Sequence, residues 1–155
     1  RSVAWGVESG NQRVLDFMQK GTNIETTQKV LDESRKAGIK NILYIMFGLP
    51  TETEAEFYET INFLDRNSGN IDLVSPSVFG LQDGSRIFLD PDMFGVKDIV
   101  LEKRTFLSDK VSYKPKSGLT QKEAIKLKKK NMFKLNKINK VPGVINACKE
   151  QILNL

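Results

Sequence analysis

Histidine is missing from all 155 residues, and cysteine occurs once, at Cys148. The first absence removes the side chain that most often acts as a general base near neutral pH and most often ligates transition metals. Serine–histidine and cysteine–histidine catalysis within the chain is thereby excluded. A single thiol closes no internal disulfide, which sets the expectation of a reducing, cytoplasmic compartment. Long apolar runs are lacking too: no stretch reaches membrane-spanning length, so no membrane partner is expected, and no secretory signal opens the chain. Neither an internal repeat nor a low-complexity tract is found. The first residue is Arg1 and a strand follows almost at once, as expected of a piece of a longer protein.

What is there is ordinary for a globular domain: 39% hydrophobic and 28% charged residues, long enough for one real core. Net charge is +5, with a sequence pI near 9.3. Residues 1–92 are net acidic; the lysine surplus falls in the last third. That basic region reads as a solvated helix face or, alternatively, as a surface for nucleic acid or an acidic partner.

Along the chain, Val3–Val7 is a short apolar run ending at Glu8-Ser9-Gly10, the mark of a buried strand and a turn. Ser9 and Gln12 have capping-box spacing, so a helix is expected from about Asn11, closed by Gly21. Thr22 and Glu25 repeat that spacing ahead of a second helix that ends at Gly38. Ile39–Phe47 is a second strand, apolar on both faces from Ile42 onward, as a parallel sheet covered by helices requires. Thr53 and Glu56 cap a third helix with Phe57, Ile61 and Leu64 inward. Ile71–Phe79 is a third strand, bent or split at Pro76. After Gly80 the pattern weakens. Ser85–Phe94 suggests a short helix, and within the irregular stretch 97–115 Val111–Tyr113 is either a short strand or extended chain. Leu119–Lys140 is the clearest late element. Thr120 and Glu123 cap it, Ile125, Leu127, Met132, Leu135 and Ile138 form its apolar arc, and lysines from Lys122 to Lys140 fill the other, with Phe133 near the edge of that lysine face. Pro142-Gly143 stops it before a last helix over Val144–Leu153, in which Cys148 reads as a structural thiol.

Two turns carry the chemistry, both at strand-to-helix junctions, where ligands sit in open α/β sheets and in barrels. The first presents Glu8 and Ser9, with Lys20 one helix later. A carboxylate there can accept from two adjacent hydroxyls, as on a ribose, and a lysine can meet a carboxylate as a point charge. The second is Phe47-Gly48-Leu49-Pro50-Thr51-Glu52-Thr53, in which glycine permits close backbone approach and proline opens a helix. Taken alone, each turn reads more simply as a well-capped helix start, with a surface lysine in the first case.

Taken together, GVESGNQRVLDFMQKG, KAGIK and FGLPTET resemble the second half of the radical S-adenosylmethionine (SAM) fold, most closely its cobalamin-binding and methylthiotransferase-type members. The likeness is close over about residues 3–63 and looser to Gly84-Ser85. It departs at Tyr44, where some relatives carry aspartate. The resemblance implies that Glu8, beside Ser9, holds the ribose hydroxyls of SAM and that Lys20 pairs with its carboxylate. By the same likeness, backbone from Met46 to Gly48 borders the adenine and Phe79 faces it. It also implies a 4Fe-4S cluster that cleaves SAM to a 5′-deoxyadenosyl radical. The CxxxCxxC loop that holds such a cluster is not in this chain, and one cysteine cannot replace it. The cluster ligands are therefore expected N-terminal to Arg1, with the chain inactive alone, and a cobalamin group in the parent protein is a further expectation.

The fold class expected is α/β: a partial (β/α) barrel with about three parallel strands, helices on one side and a C-terminal helical extension. Residues 1–95 form the half-barrel, 96–118 an irregular connector and 119–155 the extension. The expected partners are the N-terminal half of the same parent, a second copy covering the open sheet edge, or nucleic acid on the Lys122–Lys140 face. A non-catalytic α/β interaction module is the remaining alternative.

Overall fold

The computed structural model describes residues 1–103 and 110–140. Its elements are β1 (Ser2–Glu8), α1 (Gln12–Phe17), α2 (Ile24–Lys36), β2 (Lys40–Phe47), α3 (Glu54–Arg66), β3 (Leu73–Val78), α4 (Arg86–Leu89), β4 (Val96–Glu102), β5 (Lys110–Pro115) and α5 (Gln121–Ile138). Strands β1, β2 and β3 form one parallel sheet in that order, and β4 and β5 form an antiparallel hairpin. The first three strands and their helices are a partial β/α fold.

Alternation along the strands decides which side chains meet the helices. Leu43, Ile45 and Phe47 of β2, with Val7 and Val74 from its neighbours, are buried against Leu31 of α2, Phe57, Ile61 and Leu64 of α3, and Leu135 and Ile138 of α5. The Phe47 and Phe57 rings lie 4.3 Å apart at its centre. The opposite face carries Ile42 and Leu73, packed on each other, then half-buried Tyr44 and Met46. Polar groups fix the N-terminal ends of the strands. Asn41 is fully buried, accepts from Trp5 Nε1 and Ser34 Oγ, and donates to the Asn70 carbonyl. Asp72 accepts from the Asn41 amide and pairs with Arg35 and Lys140.

Pro76 neither splits nor ends β3; it stays in register opposite Ile45. The reason is its place on the sheet margin. Val74, two residues earlier and therefore of the same orientation, points its N–H away from β2 to the Asn139 side chain. The missing N–H of Pro76 faces the same way, so no ladder bond is lost. The end of α5 covers that margin: the Lys140 amide donates to the Asp72 carbonyl, and Lys128 Nζ lies 3.4 Å from the Pro76 carbonyl.

Several local expectations change. The cap residues of α1 and α2 are Asn11 and Asn23, not Ser9 and Thr22. Asparagine is at least as good a cap as serine or threonine, and the Ser9 hydroxyl is held elsewhere. The boxes at Thr53/Glu56 and Thr120/Glu123 form as expected. Helix α1 ends at Phe17, short of Gly21. The stretch expected to be irregular holds the β4–β5 hairpin; its Val96, Ile99, Val111 and Tyr113 pack with Val14, Leu49, Phe79 and Leu81. On α5, Ile125 is exposed rather than inward, and the buried stripe runs through Ala124, Asn131, Leu135 and Ile138. The last helix and Cys148 lie outside the described residues.

Candidate functional site

At the end of β1 the register slips between Gly6 and Glu8. Glu8 takes φ +66°, the left-handed region that side chains rarely enter. An irregularity of this kind re-aims a side chain at the sheet's end, at a cost of about 1–3 kcal/mol. Here it brings the Glu8 carboxylate back over Gly6, where Lys20 meets it with Nζ 3.1 Å from Oε1. Glycine at position 6 makes the arrangement possible. A Cβ there would stand 2.9 Å from Glu8 Oε1 and 3.2 Å from Lys20 Nζ. Gly6 and Lys20 line a recess of about 230 Å³ with Trp5, Val7, Thr22 and Thr26. Both charged side chains remain partly open to solvent, so their pairing is worth about 0–1 kcal/mol, little to give up for a ligand.

The residues after Glu8 fasten this turn to α3. Ser9 is fully buried; its hydroxyl bonds with Thr60 Oγ1 and accepts from the Asn11 amide. The Gly10 amide donates to Thr60 Oγ1, and a Cβ on Gly10 would come within 2.5 Å of Phe63 Cβ. Asn11 Nδ2 donates to Glu59. Arg13 then crosses to the second turn: its guanidinium donates to the Thr51 hydroxyl and carbonyl and forms an ion pair with Glu56. That partner holds the Glu56 carboxyl down at about 2. The two turns are thus tied to each other through α1 and α3.

The second turn is organised by Glu52, which sequence reasoning passed over. Its side chain is fully buried. Oε2 accepts from the Gly48 amide, while Oε1 has no hydrogen-bond partner among the described residues. The Glu52 carbonyl accepts from Leu119, tying the turn to the start of α5. Burial pushes the Glu52 carboxyl up to about 7. Gly48 sits at φ +72°, and a Cβ on it would lie 2.5 Å from Ala124 Cβ of α5. No sequence signal marks Glu52 as buried, since an acid one residue before a capping threonine is common in exposed turns. Arg13 was passed over for a similar reason: its partners lie about 40 residues away.

Of the six residues singled out from the sequence, Glu8 and Lys20 are in contact over Gly6. Met46 and Phe79 line a different cleft of about 450 Å³, with Ser77, Val78, Gly80 and Gln82. Phe79 is mostly buried and packs edge-on against Tyr113 of the hairpin, with ring centroids 5.7 Å apart. Gly48 is covered by α5, and Ser9 faces α3. The two recesses share no lining residue. Among the described residues, no cluster of three or more acidic or cysteine side chains is placed to hold a metal ion, and no helix is long and apolar enough to cross a membrane.

The class this geometry defines is a β/α layer with polar turns at the C-terminal ends of parallel strands, the usual ligand side of such sheets. Comparison with known proteins narrows it. Residues 1–64 match the profile of the Radical SAM superfamily. A protein of Methanocaldococcus jannaschii provisionally named a methylthiotransferase is 34% identical over 62 residues, 40% of this chain and 14% of that relative. An uncharacterized protein of the same organism is 32% identical over 72 residues, 46% of this chain and 16% of its own length. The tRNA-2-methylthio-N(6)-dimethylallyladenosine synthase of Halorhodospira halophila is 36% identical over 62 residues, 39% of this chain and 13% of the relative. Residues 1–64 are therefore a segment of a radical SAM superfamily domain, methylthiotransferase-like in sequence. The matched segment spans about one-seventh of each of these curated relatives.

Proposed function

We propose that this chain supplies the ribose- and carboxylate-binding part of an SAM site to a radical SAM enzyme. The observation that carries the reading is the Glu8–Lys20 pair, held over a glycine at the ligand end of β1. The donor set fits SAM: Glu8 accepts from the two ribose hydroxyls, and Lys20 turns to the carboxylate of the methionyl moiety. Ser9 acts through its fastening to α3, which fixes where Glu8 stands. Met46 and Phe79, which line the separate cleft, border the base, while Gly48 itself lies under α5. Bound SAM and a 4Fe-4S cluster together supply the radical chemistry. The residues of this chain do not fit the cluster, because its one cysteine falls short of the several thiolates required. Those thiolates belong to another part of the parent protein, which pairs with the open edge of β1, and the 155-residue chain has no turnover alone. By likeness to the matched methylthiotransferases the parent transfers a methylthio group in the cytoplasm, and cobalamin binding is a further feature of this reading.

Equilibrium dialysis of SAM against the full-length parent tests it. Glu8→Gln is expected to weaken binding about tenfold or more, the worth of a charge-assisted hydrogen bond. Lys20→Met should weaken SAM more than 5′-deoxyadenosine, which lacks the carboxylate. Unchanged SAM affinity in a folded Glu8→Gln protein would overturn the proposal and favour a non-catalytic interaction domain.

A further inference from the structure

Helix α5 buries one side and leaves the other bare. Ala124, Asn131, Leu135 and Ile138 face the core, and opposite them Phe133 is 81% exposed, more than any other large hydrophobic side chain described. The ring is at the middle of the lysine face, not at its edge. Lys129 and Lys137 sit one turn away on either side, at i−4 and i+4, and Lys130 and Lys126 follow at i−3 and i−7. Lys122 extends the row toward the helix start, and Lys134 flanks it. All six lysines are exposed, and none has an ion-pair partner among the described residues. From Ala124 to Asn139 the helix carries no acid. Glu123, at its start, turns its carboxylate to the Thr120 amide and hydroxyl. The other lysines of this region differ: Lys140 pairs with Asp72 and Lys128 reaches the Pro76 carbonyl.

We propose that this face of α5 binds single-stranded nucleic acid, with Phe133 stacking on an unpaired base while Lys126, Lys129, Lys130 and Lys137 contact the flanking phosphates. An aromatic ring flanked by lysines along its helix, beside a recess it lines with Asn62 and Asp65 of α3, has the chemistry of that ligand, which alternates flat apolar bases with anionic groups at short intervals. A solvated lysine face needs no phenyl ring at its centre. An anionic bilayer is a poorer match, because insertion needs a continuous apolar stripe and this face offers one ring. The site lies outside the matched residues 1–64 and does not depend on the SAM reading.

The test is fluorescence anisotropy of the 155-residue chain with a short labelled oligouridine over a salt series. A binding constant that falls with salt at a log–log slope of about −3 is expected, near −0.7 for each of four phosphates. Phe133→Ala should lose about tenfold in affinity at an unchanged slope, and Phe133→Trp should retain or improve binding. Combined Lys129→Gln, Lys130→Gln and Lys137→Gln should flatten the slope by about 2. A duplex of equal length should bind more weakly, because its bases are already stacked. All substituted side chains are exposed, so thermal melts should match the wild type. Equal affinity of Phe133→Ala, Phe133→Trp and wild type would overturn the proposal, leaving a plain cationic face. So would Phe133-dependent binding to phosphatidylserine vesicles without binding to the oligonucleotide.

Discussion

The two turns sit at neighbouring strand ends, yet each handles its glutamate in the opposite way. Glu8 is held in a costly backbone conformation so that its carboxylate stays near solvent, beside a lysine and above a glycine. Glu52 is buried with one oxygen on a backbone amide and the other without a partner among the described residues. The first turn holds a charge ready for an external partner. The second uses a carboxyl group to fix the path of its own backbone, with Gly48 under α5. An accessible acid beside a lysine suits a binding position; a buried acid that accepts from its own backbone is a brace.

The largest effect expected is at the brace. Gly48→Val places a branched side chain at φ +72° and against Ala124, and should cost at least about 3 kcal/mol from strain and overpacking together. The thermal midpoint should drop by roughly 10 °C for a chain of this length. A midpoint within a degree or two of wild type would mean that α5 does not press on this turn.

Second comes the pH dependence of Glu52. Its folded pKa is raised, to about 7 from the ordinary 4.5. A raised carboxyl pKa means that the native state holds its proton after the unfolded chain has lost it. This contribution is fully present below about pH 4.5 and is lost as pH rises toward 7, by an amount on the order of 2–3 kcal/mol. Glu52→Gln, which can still accept from the Gly48 amide, should flatten that decline and be the more stable protein at pH 8 in urea melts. Glu56 works in the other direction. Arg13 holds its pKa down at about 2, so its contribution is present above about pH 4.5 and fades as pH falls toward 2. A wild-type profile flat from pH 4.5 to 7 would remove the contrast between the turns.

The smallest stability effects belong to the first turn. Glu8→Gln should move stability by less than about 1 kcal/mol, since it breaks a half-exposed pair. Gly6→Ala should be similarly mild, because the atoms its Cβ meets are the far ends of flexible side chains. That variant should nonetheless push Glu8 and Lys20 apart and weaken SAM binding in the full-length parent, measured by dialysis. A large loss of stability in either variant, with SAM affinity intact, would make this turn a second brace.

Much of the architecture was legible in the sequence. The apolar run of β2, the glycine at position 38 and the boxes at Thr53/Glu56 and Thr120/Glu123 depend on neighbours within four residues or on one element's own pattern. The strand-to-helix turns at Glu8 and at Gly48 were each legible for the same reason. Where local signals competed, the reading slipped. Asn11 outbid Ser9 because the Ser9 hydroxyl is drawn to Thr60, 51 residues away. The β4–β5 hairpin was hidden because its inward side chains pack against Phe79 and Leu49 rather than forming an amphipathic pattern of their own.

The order of residues by itself determined three parallel strands, the helices between them and an acid at the first strand's end, because hydrophobic periodicity and capping act over a few residues. Only the tertiary structure decided that Glu8 meets Lys20 over Gly6, that Glu52 is buried beside Gly48 and that Phe133 stands exposed on the lysine face. Burial and approach between distant segments depend on how the layers pack, and no local stretch of sequence encodes that.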